Sequence, residues 1–453
     1  YKRGRQTLRD SYRPISILPS FSKIFERVVY NQTLNFLETN NKLNPTQFGF
    51  RPNKSTKLAL TQFIENIIDA VDCKKKATAC FFDLTKAFDL VNFDILNVKL
   101  FNVGIRSHCL DWFANYVKNR YQFVQINHTT KKNSTSASNS DIDKIKAGVP
   151  QGSVLGPLLF LIFVNDITQY VPSENLIAYA DDTTVININN SPSLLEIDTY
   201  ILINQVSSYF ESIKMLLNPS KTKYINFKLK NSQFSDNTIN LFLGENELEE
   251  VDTTKFLGVK VDCHLNWEDQ ISYLSSKLAT ALFIIKRISN TGNKQLSLNC
   301  YYAFFYSHII YSIILWGSSS KNNLQRVFIL QKRAIRYIDH LKYNESCKNS
   351  FHINKILTVP SIYISQSILY NVENNLLECN TRHHSYNTRH KKIFTESHRT
   401  KLYESKPSYI GKKFFQKLPP SLRNLAYTKS FKTKLKEWLV SQCFYSFEEL
   451  LLS

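Results

Sequence analysis

The chain reads as an α+β protein, with strands and helices mixed in its first 262 residues and helices alone after them. Three observations predict this. The runs TACFFDL (78–84) and LIAYADDTTVINI (176–188) are short, apolar and broken by acidic residues, the pattern of buried strands. Leu60, Phe63, Ile64, Ile67, Ile68 and Val71 fall on one stripe at helical spacing. After residue 265, three helical stretches at about 268–289, 295–316 and 321–340 follow one another without a strand pattern, which predicts a bundle.

The elements can be read in order. RPISILP (13–19) is extended, with Pro at both ends, and 20–39 is helical. A loop with Pro45, Gly49 and Pro52 leads to Ser55, which can cap the apolar-striped helix. The strand 78–84 follows. Asp94 opens a helix that Gly104 closes, and 107–118 is a further helix. YQFVQIN (121–127) is a strand and the polar stretch 128–140 a hairpin excursion. GVPQG (148–152) is a turn before an apolar helix at 153–168. The second acidic strand run precedes a helix at 194–213, a strand at 224–227 and a single strand at 255–262 that contains Gly258.

Composition narrows the function. Of 453 residues 43% are hydrophobic and 21% charged, which excludes a wholly disordered or collagen-like chain. Lys and Arg number 57 against 37 Asp and Glu, a net charge of +20, so the partner is polyanionic, nucleic acid or an anionic membrane surface. Residues 295–320 carry no charged side chain, but Asn299, His308 and several Tyr and Ser favour a buried helix over a membrane span. None of the eight cysteines forms a C-x-x-C pair, so neither a zinc ribbon nor a disulfide framework is expected. Without an initiator Met or an apolar leader, the chain reads as a piece of a longer polypeptide.

The chemistry lies in acidic residues set into apolar strands. Asp83 ends one strand, and Asp181 and Asp182 lie between two strand halves. Adjacent carboxylates repel unless a cation neutralises them. An all-oxygen set suits Mg²⁺ or Mn²⁺. Two such ions about 3.5–4 Å apart are the arrangement that assists phosphoryl transfer. Alone, Asp-Asp is better read as a polar turn; its neighbours in sequence change that reading.

FFDLTKAFDLV (81–91), AGVPQGSVLGPLLFLIFVNDI (147–167) and IAYADDTTV (177–185) resemble three successive palm motifs of reverse transcriptases. YRPISILPSFSKIFE (12–26) and NPTQFGFRPNKST (44–56) are similar to the preceding fingers motifs, and LNPSKTKYINF (217–227) and KFLGVKVD (255–262) to those that follow. The wording is closest to the non-LTR (LINE-type, jockey-like) retrotransposon enzymes. YNTRH (386–390) and FFQKLPPSL (414–422) resemble segments near the C-terminus of such polyproteins.

The resemblance implies a right-hand polymerase: fingers over 1–75, a palm with an antiparallel sheet over 76–265, a helical thumb over 266–345, and a basic C-terminal region of unknown role over 346–453. The motifs themselves span about 12–262. Residues 381–453 hold 15 Lys and Arg against 5 Asp and Glu and read as a basic tail. The implied activity is RNA-directed DNA polymerisation with an RNA template, a DNA primer or target, dNTP and two Mg²⁺ ions (or Mn²⁺), off the membrane, in a ribonucleoprotein of nucleus and cytoplasm. A non-catalytic nucleic-acid-binding remnant and an RNA-dependent RNA polymerase are the alternatives.

Residue by residue, the resemblance makes Asp83, Asp181 and Asp182 the metal-binding carboxylates. Phe88 would exclude a 2′-hydroxyl or simply pack in the core. Gln151 and Gly152 would line the nucleotide pocket and Arg13 would contact the triphosphate. Arg51 would bind template or brace the fingers. Lys221 or Lys223 would act toward the leaving pyrophosphate or stay solvated. Gly258 would let a primer backbone approach.

Overall fold

A computed structural model describes residues 5, 7–8, 11–12, 15–129, 135–229, 239–377 and 395–452. Arg13, Cys379 and the YNTRH segment lie outside the described residues. The chain opens with helices α1 (Ser20–Thr39) and α2 (Thr56–Asp72), then strand β1 (Lys76–Phe82). Helices α3 (Phe93–Asn102) and α4 (Ser107–Lys118) lead to the short strands β2 (Tyr121–Gln122), β3 (Gln125–Thr129), β4 (Thr135–Asn139) and β5 (Asp143–Lys144). Next come α5 (Gly156–Phe163), the hairpin β6 (Leu176–Tyr179) and β7 (Asp182–Asn189), α6 (Pro192–Ser212) and β8 (Lys223–Phe227). Short strands β9 (Phe242–Leu243), β10 (Asn246–Glu247) and β11 (Glu249–Glu250) precede β12 (Thr253–Phe256) and β13 (Val259–Asp262).

The central sheet runs β11-β8-β1-β7-β6. All its pairs are antiparallel except β11 with β8. Side chains alternate across β1 as the pleat requires. Ala77, Ala79 and Phe81 pack toward α2, where Phe63 lies 5.7 Å from Phe81, while Cys80 and Phe82 pack toward α6 with Val206 and Phe210. The sheet is therefore covered on both faces, and β1 is held at its centre. Ser55 caps α2 through the Leu58 N–H, as expected. The α3 cap is the Asn92 side chain, which accepts from Asp94 and Ile95; Asp94 sits in the first turn instead of opening the helix.

The α+β class is what the structure has, and three sequence expectations need correcting. The single strand at 255–262 is a hairpin, β12 with β13, turning at Leu257 and Gly258. Both turn residues have positive φ, +43° and +86°, the two-residue turn that suits a tight hairpin. The helix at 153–168 is the shorter α5, followed by a 3-10 turn at Asn165–Gln169. The helix at 295–316 is broken into α8 (Lys294–Cys300), a π-helical turn at Tyr301–Tyr306, α9 (Ser307–Ile310) and α10 (Ile313–Trp316). No described helix is long and apolar enough to cross a membrane.

The helical part contains α7 (Glu268–Ser289), α11 (Lys321–Ile338), α12 (Lys348–Ile353) and α13 (Val359–Glu373), then α14 (Pro407–Gln416), α15 (Pro420–Arg423), α16 (Phe431–Gln442) and α17 (Glu448–Leu452). The basic C-terminal region is folded over 395–452. Phe414, Phe431, Leu435 and Leu439 are buried in one continuous apolar core with Ile362 and Ile368 of α13 and Ile64 and Ile67 of α2. Charge count concealed this, because Lys432, Lys434 and Lys436 sit on the exposed face of α16, whose other face is apolar, while Lys406 and Lys412 are buried and paired with Asp69 and Glu396.

Candidate active site

The β1–β7 ladder ends at Phe82 opposite Thr183. The next residues along the two strands are Asp83 and Asp182, close enough that the charge of Asp83 acts on the Asp182 carboxyl. Tyr179 pairs with Asp182, so Ala180 and Asp181 form the two-residue turn of the β6–β7 hairpin. Asp83, Asp181 and Asp182 are thus brought to one end of adjacent central strands.

Each side of this site is pinned. The Asp83 carbonyl accepts the Asn218 N–H at 2.9 Å. Lys221 Nζ donates to Asp83 Oδ2 at 3.1 Å. Ala180 takes a positive φ of +57°, which a non-glycine residue holds only when its surroundings impose it. Those surroundings are Gln47 and Gly49. The Ala180 N–H donates to Gln47 Oε1 at 2.8 Å, and Gln47 Nε2 donates to the Ala180 carbonyl at 3.4 Å. A Cβ on Gly49 would stand 2.4 Å from Ala180 N, so only glycine lets the loop press against the turn.

Electrostatics match the crowding. Asp182 keeps exposed surface. Protein atoms packed around its carboxyl, then the charges of Asp181 and Asp83, nonetheless push its pKa up to about 6. All donors are carboxylate oxygens, a hard anionic set whose mutual repulsion a divalent ion relieves. Among the described residues, no three His, Cys, Asp or Glu side chains stand close enough to enclose one ion as they are. Lys221 supplies the positive charge beside Asp83.

Phe88 lies on the 3-10 turn Ala87–Asp89 that follows Asp83 and stacks on Phe160, ring centroids 4.6 Å apart. Its carbonyl accepts the Val149 N–H at 2.8 Å, and Gln151 Nε2 donates to Asp89 Oδ1 at 2.8 Å. The structure therefore brings Phe88 and Gln151 together. Gly152 has φ +106° and abuts Ser16 of its own chain, whose carbonyl oxygen would lie 3.2 Å from an added Cβ.

Other sequence candidates are engaged elsewhere. Arg51 pairs with Glu38 through two hydrogen bonds of 2.8 and 2.6 Å and caps the Asn44 carbonyl, so it braces the loop. Lys223 pairs with Glu249 at 2.7 Å. Gly258 serves the hairpin turn and faces Tyr311. Sequence reasoning missed Gln47 and Glu26, whose contacts to Ala180 and Val154 span 133 and 128 residues; no local pattern encodes such contacts. It also missed a basic cluster where Lys255, Lys260 and Lys277 approach the Tyr273 ring at 5.4, 5.9 and 5.7 Å from its centroid.

The reverse transcriptase (RNA-dependent DNA polymerase) family model matches residues 2–261. A probable RNA-directed DNA polymerase from transposon BS of Drosophila melanogaster is 29% identical over 346 residues, 74% of this chain and 37% of that protein. The RNA-directed DNA polymerase from mobile element jockey of the same species is 27% identical over 342 residues, 73% of this chain and 36% of that protein. The chain spans little more than a third of the length of these curated relatives. Among solved structures, telomerase from Candida albicans in complex with a TWJ fragment of telomeric RNA aligns at 12% identity with a TM-score of 0.39, covering 94% of this chain and 59% of that one.

Proposed function

The chain belongs to the reverse transcriptase (RNA-dependent DNA polymerase) family, and from that premise we propose that it extends a DNA primer on an RNA template of a jockey-like retrotransposon. The observation that supports this most is the register that sets Asp83 beside Asp182, with Asp181 in the adjoining turn. In this reading the sheet is the palm, residues before it the fingers, and α7 to α11 the thumb. The protein would act in the nucleus and cytoplasm, with its RNA.

Asp83, Asp181 and Asp182 would hold two Mg²⁺ ions, with Mn²⁺ able to substitute; when bound, the ions supply charge stabilisation for the attacking and leaving oxygens. The chain's own residues supply position. Gln47 fixes the backbone of the turn that carries Asp181, which limits the rearrangement the carboxylates would need to close on the ions. Lys221, which pairs with Asp83, would turn its ammonium to the leaving pyrophosphate and neutralise it. Phe88, held by Phe160 and the Val149 amide, would stand under the sugar and reject a 2′-hydroxyl. Gln151 and Gly152 would border the nucleotide. Arg13 would take the triphosphate, its bidentate fork suiting a multi-oxygen anion. Lys255, Lys260 and Lys277 would neutralise backbone phosphates of the template-primer duplex.

The test is primer extension on an RNA template with Mg²⁺, offering deoxynucleotides and ribonucleotides in separate reactions. Mg²⁺-dependent incorporation of deoxynucleotides is expected. Preferential ribonucleotide incorporation would make the chain an RNA polymerase, and RNA binding without incorporation would make it a binding module.

A further inference from the structure

Helix α1 presents Phe21 and Phe25 to solvent, 77% and 68% exposed, yet buries the carboxylate of Glu26, 1% exposed. Apolar side chains outside and a charge inside reverse the usual order, so the charge must be held by specific donors. Four such donors surround it. Oε2 accepts the Val154 N–H at 2.7 Å and the Leu155 N–H at 3.4 Å. Oε1 accepts the Tyr116 hydroxyl at 2.9 Å and the Ser22 hydroxyl at 3.3 Å.

Val154 and Leu155 immediately precede α5, so Glu26 satisfies amides at the start of that helix, where the dipole also favours an anion. The same segment is held again a few residues earlier. The Ser16 N–H donates to the Gln151 carbonyl at 2.7 Å, and Gly152 abuts Ser16. Ser153 Oγ closes the loop on itself, donating to the Pro150 carbonyl at 2.8 Å and accepting the Gly156 N–H at 2.9 Å. The stretch 15–26 therefore grips loop 150–155 on both flanks of Gly152, while Gln151 reaches forward to Asp89.

We propose that Glu26 is a positioning residue for the incoming nucleotide: from α1 it fixes the loop that sets Gln151 and Gly152. This rests on reading those two residues as the nucleotide border. Glu26 itself touches no substrate. Its loss would let the loop shift away from the nucleotide while leaving the carboxylate site and the duplex-binding surface in place.

Glu26→Gln keeps the volume and removes the charge, and Tyr116→Phe removes one donor and leaves the carboxylate on the Val154 amide. With an RNA template, Glu26→Gln is expected to raise the KM for dNTP about fivefold and Tyr116→Phe about twofold, with kcat within about twofold of wild type. The affinity for template-primer should be unchanged. The dissociation constant of dNTP from a complex stalled on a chain-terminated primer should rise by the same factors, a readout independent of turnover. A wild-type KM in Glu26→Gln, or a fall in kcat and melting temperature at constant KM, would overturn the assignment and leave Glu26 a structural group. If the wild-type chain itself incorporates nothing, the nucleotide-border reading fails and this assignment falls with it.

Discussion

Lys221 donates from Nζ to Oδ2 of Asp83 across 3.1 Å, joining the turn before β8 to the end of β1, 138 residues away. Both side chains are close to half exposed, 47% and 42%, so the pair contributes no more than about 1 kcal/mol to stability. Lys221→Met should therefore leave urea unfolding within about 1 kcal/mol of wild type. If the ammonium serves the leaving group, the same variant should slow single-nucleotide incorporation about tenfold. Equal rates in a single-turnover assay would assign Lys221 to surface pairing alone.

Asp182 carries an elevated pKa of about 6 against a reference of 3.8. Below the reference value the folded and unfolded chains both hold the proton and nothing is lost. As pH rises from about 4 to about 6 the unfolded chain ionises first, so the ion-free fold loses stability, and the loss is complete above about pH 6. Discounted for the solvent that reaches this carboxyl, the penalty is about 1–2 kcal/mol at neutral pH. Asp182→Asn should then stabilise the ion-free protein by that amount at pH 7 and flatten its melting temperature between pH 4 and 6. Destabilisation at pH 7 would show that the carboxylate is held by attractions instead of repelled.

Phe88 stacks on Phe160 at 4.6 Å, so shortening it has two separable effects. Phe88→Val should cost about 1–3 kcal/mol through lost packing. It should also raise incorporation of ribonucleotides relative to deoxynucleotides, measured as the ratio of kcat/KM values. A stability loss with an unchanged ratio would leave only the packing role.

The C-terminal segment docks on α2 through acids. Asp72 accepts from the Arg399 and Thr400 amides and the Thr400 hydroxyl, at 2.7–3.2 Å, and Lys406 Nζ binds Asp69 at 2.6 Å. Burial alone would raise the Asp72 carboxyl, but the Thr400 and Arg399 contacts outweigh it and hold it low. Glu396 is likewise lowered, the Tyr403 hydroxyl and Lys412 outweighing burial. A depressed carboxyl stabilises the fold above its unfolded pKa, and that contribution is lost as pH falls. The melting temperature should therefore drop below about pH 4, with a shallower drop and a lower neutral value in Asp72→Asn. Limited proteolysis should cut 395–406 faster in that variant. Matching profiles would mean the amide contacts are not what secures the segment.

What could be read in the sequence was local. Ser55 before the Leu60–Val71 stripe marked α2, and the two acidic strand runs marked β1 and the β6–β7 hairpin, because caps and short apolar runs are encoded in neighbouring residues. Gly258 within an apolar run also marks the β12–β13 turn, but a short apolar run with one glycine has the pattern of a single strand as much as of a hairpin. The π-helical turn at Tyr301–Tyr306 contains no Gly or Pro, so no residue there marks it. The juxtaposition of Asp83 with Asp182 followed only once family motifs were compared, since register across 99 residues has no local signature. Gln47 on Ala180 and Glu26 on Val154 depend on the assembled fold and were invisible for the same reason.

The most direct measurement is single-turnover nucleotide incorporation by Asp181→Ala on a preformed RNA-template complex, with RNA affinity determined in parallel. The account predicts a fall of about 10³-fold or more with RNA binding intact. Incorporation near the wild-type rate would show that the carboxylates at the β1 and β7 ends do not carry the chemistry.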